Sequence, residues 1–186
     1  SRQHARPVSR PPAIAPVTVK ESIMKRHLPA AVLLALTCLH PAIAQQFTLS
    51  NEFTGPAICL DIVNDGTNTQ LNMTPCGAYT GQHWQRTGAG KAGTYILQTA
   101  FTGPGACLDV VNDGRNNQVT MASCGNFSGQ FWRFTPTGQP NQFRLTNTFT
   151  GGNRCLDVVN DGRNNRLTLA KCGNYTGQFW SMSPVR

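Results

Sequence analysis

After position 44 the chain carries six aspartates, and they fall as three pairs in one frame: Asp61/Asp65, Asp109/Asp113 and Asp157/Asp161. Paired carboxylates invite a glycosidase reading, which needs two of them about 5 to 9.5 Å apart in different protonation states. One constellation written three times is not how a single active site is assembled, and the second Asp of each pair stands in the Asp-Gly step that a tight turn demands. His83 is the only histidine of this region, so a Ser/His/Asp or Cys/His arrangement has little to build on. Asp61, Asp65 and Gly66 also occupy the first, fifth and sixth places of a calcium loop. With Val63 third and Asn72 twelfth, the bidentate Glu is missing, and a weak Ca²⁺ loop stands behind a plain hairpin turn. No metal and no cofactor is expected. Six cysteines, Cys59, Cys76, Cys107, Cys124, Cys155 and Cys172, lie in pairs 17 apart, without the Cys-x-x-Cys or partnering His of a zinc site.

The compartment that would oxidise these cysteines is suggested upstream. Ala30 to Leu39 is an apolar run of about ten residues, preceded by Lys25, Arg26 and His27 and followed by Ala42-Ile43-Ala44. It is too short to span a bilayer. Residues 24–44 are therefore expected to be a secretory signal cleaved between Ala44 and Gln45, and residues 1–23, rich in Pro and Arg, an upstream or disordered leader. The full chain has a formal charge of +8, but residues 45–186 hold ten basic and seven acidic side chains, a net charge of +3. Nucleic-acid binding loses most of its electrostatic case. Cys38 leaves with the signal segment, and an even cysteine count after a secretory signal predicts disulfides in a secreted or periplasmic, oxidising setting.

The elements that must position these residues repeat with a period of 48. The cysteine pairs are offset by 48, and with them go Phe47, Tyr95 and Phe143; Phe53, Phe101 and Phe149; Asn64, Asn112 and Asn160; and Trp84, Trp132 and Trp180. Such a period decides architecture before any local reading. Each unit (about 45–92, 93–140 and 141–186) reads as four short strands, in the first unit 46–50, 58–63, 70–74 and 82–86, so the domain is all-β with twelve strands and no helical pattern. Asn64-Asp65-Gly66 lies between the runs Leu60/Ile62 and Leu71/Met73 and marks a hairpin. If Cys59 faces Cys76 directly, Asp61 pairs with Thr74 and Ile62 with Met73. Leu60, Ile62, Leu71 and Met73 then share the buried face.

Cys-Leu-Asp-Ile-Val-Asn-Asp-Gly at 59–66 and Cys-Leu-Asp-Val-Val-Asn-Asp-Gly at 107–114 and 155–162, each followed by Gln-x-Trp at Gln82/Trp84, Gln130/Trp132 and Gln178/Trp180, resemble the ricin B-type lectins. That family is a β-trefoil of three Gln-x-Trp repeats, similar to the family 13 carbohydrate-binding modules, and the match spans residues 46–183. The resemblance implies up to three shallow sugar pockets. It assigns sugar-hydroxyl acceptors to Asp61, Asp109 and Asp157, support of those carboxylates to Gln82, Gln130 and Gln178, and core packing to the tryptophans.

Two departures stand out. Many sugar-binding members carry an aromatic residue two before the second Cys, opposite the Asp, where this chain has Thr74, Ala122 and Ala170. The residue before the Gln, often a sugar-bonding Asn, is Gly81, Gly129 and Gly177. Replacement rings are offered by Tyr79, Phe127 and Tyr175, three after the second Cys, with Asn126 and Asn174 beside two of them. A ring gives apolar contact to the C–H face of a sugar, while Asp and Asn serve its hydroxyls. The plainer alternative is that the ring plugs the barrel rim or anchors its loop. Asn72, Asn126 and Asn174 also fit the N-glycosylation sequon.

The expected function is a secreted, non-catalytic module binding glycans or polysaccharide, with candidate contacts Asp157, Asn160, Asn174 and Tyr175; Asp109, Asn112, Asn126 and Phe127; and Asp61, Asn64 and Tyr79. Phe127 lacks a hydroxyl and Ala78 replaces the loop Asn in the first unit, so the expected order of strength is third, second, first. The alternative is a protein-binding trefoil, such as a protease inhibitor or the binding subunit of a secreted assembly.

Overall fold

Gly, Asn and Pro clusters chop each repeat into strands too short to bury much alone, and packing of the three repeats makes the core. The computed structural model describes residues 45–185; the expected leader and signal segment lie outside the described residues. Twelve strands follow in order: β1 Phe47–Asn51, β2 Gly55–Ile62, β3 Leu71–Pro75 and β4 Trp84–Gly88; β5 Tyr95–Thr99, β6 Ala106–Val110, β7 Val119–Ser123 and β8 Trp132–Pro136; β9 Gln142–Asn147, β10 Gly151–Val158, β11 Leu167–Lys171 and β12 Trp180–Pro184. Antiparallel pairing runs β1–β4–β5–β8–β9–β12 and back to β1, which closes a six-stranded barrel. The remaining strands form the hairpins β2–β3, β6–β7 and β10–β11. They are tied to one another by the backbone bonds Met73 N–H to Asn165 O, Met121 N–H to Thr69 O and Leu169 N–H to Asn117 O, and the Thr120 and Thr168 hydroxyls add bonds to Thr69 O and Asn117 O. Barrel plus three hairpins is a β-trefoil.

The core repeats with the sequence. Trp84, Trp132 and Trp180, Leu49, Leu97 and Leu145, and Leu60, Leu108 and Leu156 are all fully buried. Each leucine withdrawn from water contributes about 1.5–3 kcal/mol, so these six, together with the three tryptophans, supply much of the drive that short strands lack. Each indole N–H is satisfied by the carbonyl of the hairpin leucine, Trp84 to Leu60, Trp132 to Leu108 and Trp180 to Leu156, which locks hairpin to barrel. Among the described residues no helix is long and apolar enough to cross a membrane.

Three disulfides join the expected partners, Cys59–Cys76, Cys107–Cys124 and Cys155–Cys172. The register differs from that expected. Cys59 pairs with Thr74, Leu60 with Met73, Asp61 with Asn72 and Ile62 with Leu71, a slip of two residues. A slip of two keeps every side chain on its face, so the buried set is unchanged while the cross-strand neighbours move. Thr74, Ala122 and Ala170 therefore lie opposite the first cysteine of each unit, and Asn72, Thr120 and Thr168 lie opposite the three aspartates. Each disulfide runs diagonally from its strand to the loop beyond the next one. A second difference concerns Gln82, expected in a strand: it ends a one-turn 3-10 helix, Thr80–Gln82, repeated as Ser128–Gln130 and Thr176–Gln178.

Candidate carbohydrate-binding sites

The two aspartates of each pair do different work. Asp65 Oδ1 accepts hydrogen bonds from Thr67 N–H, the Thr67 hydroxyl and Asn68 N–H, closing the hairpin turn in which Gly66 and Asn68 hold positive φ. Asp113 does the same with the amides of Arg115 and Asn116, and Asp161 with those of Arg163 and Asn164. Hydrogen bonds to the charged form hold these three carboxyls below the ordinary value of 3.8, Asp65 and Asp113 through the amides of Asn68 and Asn116 first. Asp161, with the Asn164 amide and the Arg166 guanidinium on it, falls to about 2.

The first aspartate of each pair is held by its own repeat. Asp61 Oδ1 accepts from the Ile62 amide at 2.7 Å, and Oδ2 from Gln82 Nε2 at 2.9 Å. Asp109 is held identically by Val110 and Gln130, and Asp157 Oδ2 accepts from Gln178 Nε2 at 2.8 Å. The glutamines are fully buried and fully used. Gln82 Nε2 also donates to Pro75 O, and its Oε1 accepts from Gly77 N–H. That single side chain joins the carboxylate, the end of β3 and the loop after Cys76. Burial pushes the Asp157 carboxyl above its ordinary value, against the lowering effect of Gln178 and the Val158 amide.

Glycines shape what surrounds the carboxylate. A Cβ on Gly81, Gly129 or Gly177 would collide with Oδ1 of Asp61, Asp109 or Asp157. The glycine that replaces the family's usual Asn thus leaves the space into which the carboxylate turns. A second glycine, Gly77, Gly125 or Gly173, lies directly under the ring of Tyr79, Phe127 or Tyr175, and a Cβ there would strike the ring edge. The rings rest on bare backbone and remain 62, 61 and 63% exposed, so they do not plug the barrel.

Three cavities follow. The first is lined by Asp61, Asn64, Ala78, Tyr79 and Phe101, with a volume of about 320 Å³. The second, about 540 Å³, is lined by Asp109, Asn112, Asn126, Phe127 and Phe149. The third, about 560 Å³, is lined by Asp157, Asn160, Thr168, Asn174, Tyr175 and Phe53. All eleven contact residues expected from the sequence line these cavities, and each cavity receives one carboxylate.

A family model of the ricin-type β-trefoil lectin domain matches residues 45–142 and 97–186. The chain belongs to that family. No curated sequence relative matches it. Among solved structures, the lectin domain is similar to the designed threefold-symmetric protein ThreeFoil, at 21% identity and a TM-score of 0.62 over 75% of this chain and 99% of that one. It is similar to the ricin B-like lectin of Macrolepiota procera, solved in complex with lactose, at 18% identity and a TM-score of 0.61 over 75% and 95% of the two chains. It also resembles 30% of an exo-β-1,3-galactanase from Clostridium thermocellum, at 19% identity and a TM-score of 0.64, with 76% of this chain covered.

One part of each cavity in this lectin domain escaped the reading of the sequence. Phe53, Phe101 and Phe149 come from the repeat that follows the rest of the lining, with the first repeat following the third. Their 48-residue spacing was the available signal, but it says nothing about which repeat a side chain reaches. Thr168 was missed for a different reason, since only the corrected register sets it opposite Asp157.

Proposed function

We propose that the protein is a secreted, non-catalytic lectin with three shallow sugar sites, in which Asp61, Asp109 and Asp157 accept hydrogen bonds from sugar hydroxyls and Tyr79, Phe127 and Tyr175 stack on the C–H face. The observation that carries this reading is the exposed ring laid on a glycine and opening into the same cavity as a carboxylate that a buried glutamine holds in place. An apolar face and a fixed acceptor are what a pyranose requires. Asn160 and Asn174 in the third site, and Asn112 and Asn126 in the second, add donors and acceptors. The second and third cavities are of similar size, and the first, at about 320 Å³, is smaller.

Two features support the absence of hydrolysis. Each cavity is lined by a single carboxylate, whereas glycoside cleavage uses two. The second aspartate of each pair is engaged in its hairpin turn. Three disulfides accord with an oxidising, extracellular setting. Three weak sites on one body gain avidity on a branched or repeating glycan wherever the geometry lets them bind together.

The test is a broad glycan array probed with the oxidised protein. Concentrated binding to one terminal sugar, competed by millimolar free sugar and reduced in Asp157→Ala, is the expected result. Binding to a protein target that free sugar fails to compete would instead favour exposed aromatic anchors for a protein partner.

A further inference from the structure

Each sugar site is completed by a phenylalanine from the next repeat, and something must hold that wall in place. In the third site the holder is Asn51, 1% exposed at the end of β1. Its Nδ2 donates to Gly177 O at 2.8 Å, and its Oδ1 accepts from Phe53 N–H at 3.0 Å. Gly177 is the glycine against which the Asp157 carboxylate packs. One buried amide therefore ties the floor of the third site to the wall that the first repeat contributes. Asn147 does the same for the second site, with Nδ2 to Gly129 O at 2.7 Å and Phe149 N–H to Oδ1 at 2.9 Å.

The first site lacks this tie. The matching residue is Thr99, equally buried, whose hydroxyl bonds Thr102 instead. Phe101 N–H donates directly to Thr80 O at 3.2 Å, so a single backbone bond, with no buried amide side chain, joins the wall to the first site. The residue at this position meets the glycine four residues on at all three joints: Asn51 pairs with Gly55, Asn147 with Gly151, and Gly103 N–H donates to Thr99 O at 3.0 Å, so the joints differ in the side chain and not in that contact. The cavity at this joint is also the smallest of the three.

We infer that Asn51 and Asn147 are positioning residues that clamp the third and second sites across the repeat boundary, and that Thr99 in place of an Asn is what weakens the first. Their amide fits because its donor and its acceptor sit on two separate atoms, which reach the glycine carbonyl and the phenylalanine amide at once, whereas the single oxygen of the Thr99 hydroxyl would have to serve both. The effect on sugar rests on the lectin reading above; the clamp itself does not.

The experiment is a site-resolved NMR titration of the full chain, with the amides of Gly81, Gly129 and Gly177 as reporters. The probes are lactose and the methyl glycosides of galactose, glucose, mannose, xylose and N-acetylglucosamine. Asn51→Ala is expected to weaken the third site about fivefold to tenfold, the scale of one buried hydrogen bond, and to leave the second unchanged. Asn147→Ala is expected to do the reverse, and Thr99→Asn to strengthen the first site. Amide exchange is expected to quicken at Phe53 in the first variant and at Phe149 in the second. A uniform loss across all sites, or no change at the paired site, would overturn the inference. So would a Thr99→Asn protein with an unaltered first site, and that variant stands even if the alanine variants do not fold. If no probe shifts any reporter in the unsubstituted protein, the lectin reading falls, and the clamp is then decided by exchange at Phe53 and Phe149 alone.

Discussion

Gly129→Ala adds one methyl group to a backbone whose φ is not in the left-handed region, so the residue itself can adopt its conformation without strain. The added Cβ would meet Asp109 Oδ1, while Val110 O, at 3.4 Å, lies in ordinary contact. The carboxylate must leave, and with it go the bonds from Val110 N–H at 2.7 Å and Gln130 Nε2 at 2.9 Å. Gln130 is fully buried, and its freed N–H has no other partner at hand. A hydrogen bond to a charged group contributes about 1.5–3 kcal/mol, and a stranded buried donor costs about 1–3 kcal/mol. Asp109 regains water when it swings out, so the expected net loss is about 2–3 kcal/mol, or a Tm lower by roughly 10 °C for a domain of this size. Sugar binding at the second site should disappear while the other two remain. The decisive assay is a double-mutant cycle by thermal unfolding. In an Asp109→Ala background the extra methyl has nothing to displace, and Gly129→Ala should then cost less than about 0.5 kcal/mol. An undiminished cost in that background would refute the account of why glycine stands there.

Two further outcomes are expected. Tyr175→Ala removes a ring that is already 63% exposed, so unfolding should shift by no more than about 0.5 kcal/mol while affinity at the third site falls roughly fivefold, as titration calorimetry would show. Acidification should act on Asp157 with opposite signs in two assays. Its carboxyl is raised by burial, so the ionised form costs folding stability, and the stability this group contributes is present at low pH and is lost as pH rises through its pKa. Binding needs the ionised acceptor, so affinity at the third site should fall as pH drops through that same pKa, above the ordinary 3.8. A pH titration of Gly177 with sugar present, set beside thermal melts of the unliganded protein and of Asp157→Asn, checks both signs.

The architecture was legible because it is written three times. A 48-residue period that carries Trp84, Trp132 and Trp180 with three cysteine pairs leaves few arrangements other than a threefold one, and the structure places all nine of these residues in equivalent positions. The hairpin register was not legible, for a definite reason. Side-chain direction in a strand has period two, so a slip of two residues leaves the pattern of Leu60, Ile62, Leu71 and Met73 intact. A directly facing cysteine pair would decide between the registers, but Cys76 lies one residue beyond the end of β3, where a disulfide can close diagonally.

The sites divide along the same line. Asp61, Asn64 and Tyr79, with their counterparts, belong to one repeat each, and local spacing was enough to gather them. Phe53 and Asn51 act on the third repeat from the first, across a boundary that exists only once the barrel has closed. A threefold scaffold can in this way carry cavities that differ in size and lining. The core must stay symmetric, because nine buried Trp and Leu side chains interlock around one axis and a change in any of them is felt by its neighbours. The joints between repeats carry no such demand. Thr99 can replace an Asn at one joint without disturbing Leu97 two residues away, which remains fully buried. The boundaries, rather than the core, are therefore where this fold is free to vary its three cavities.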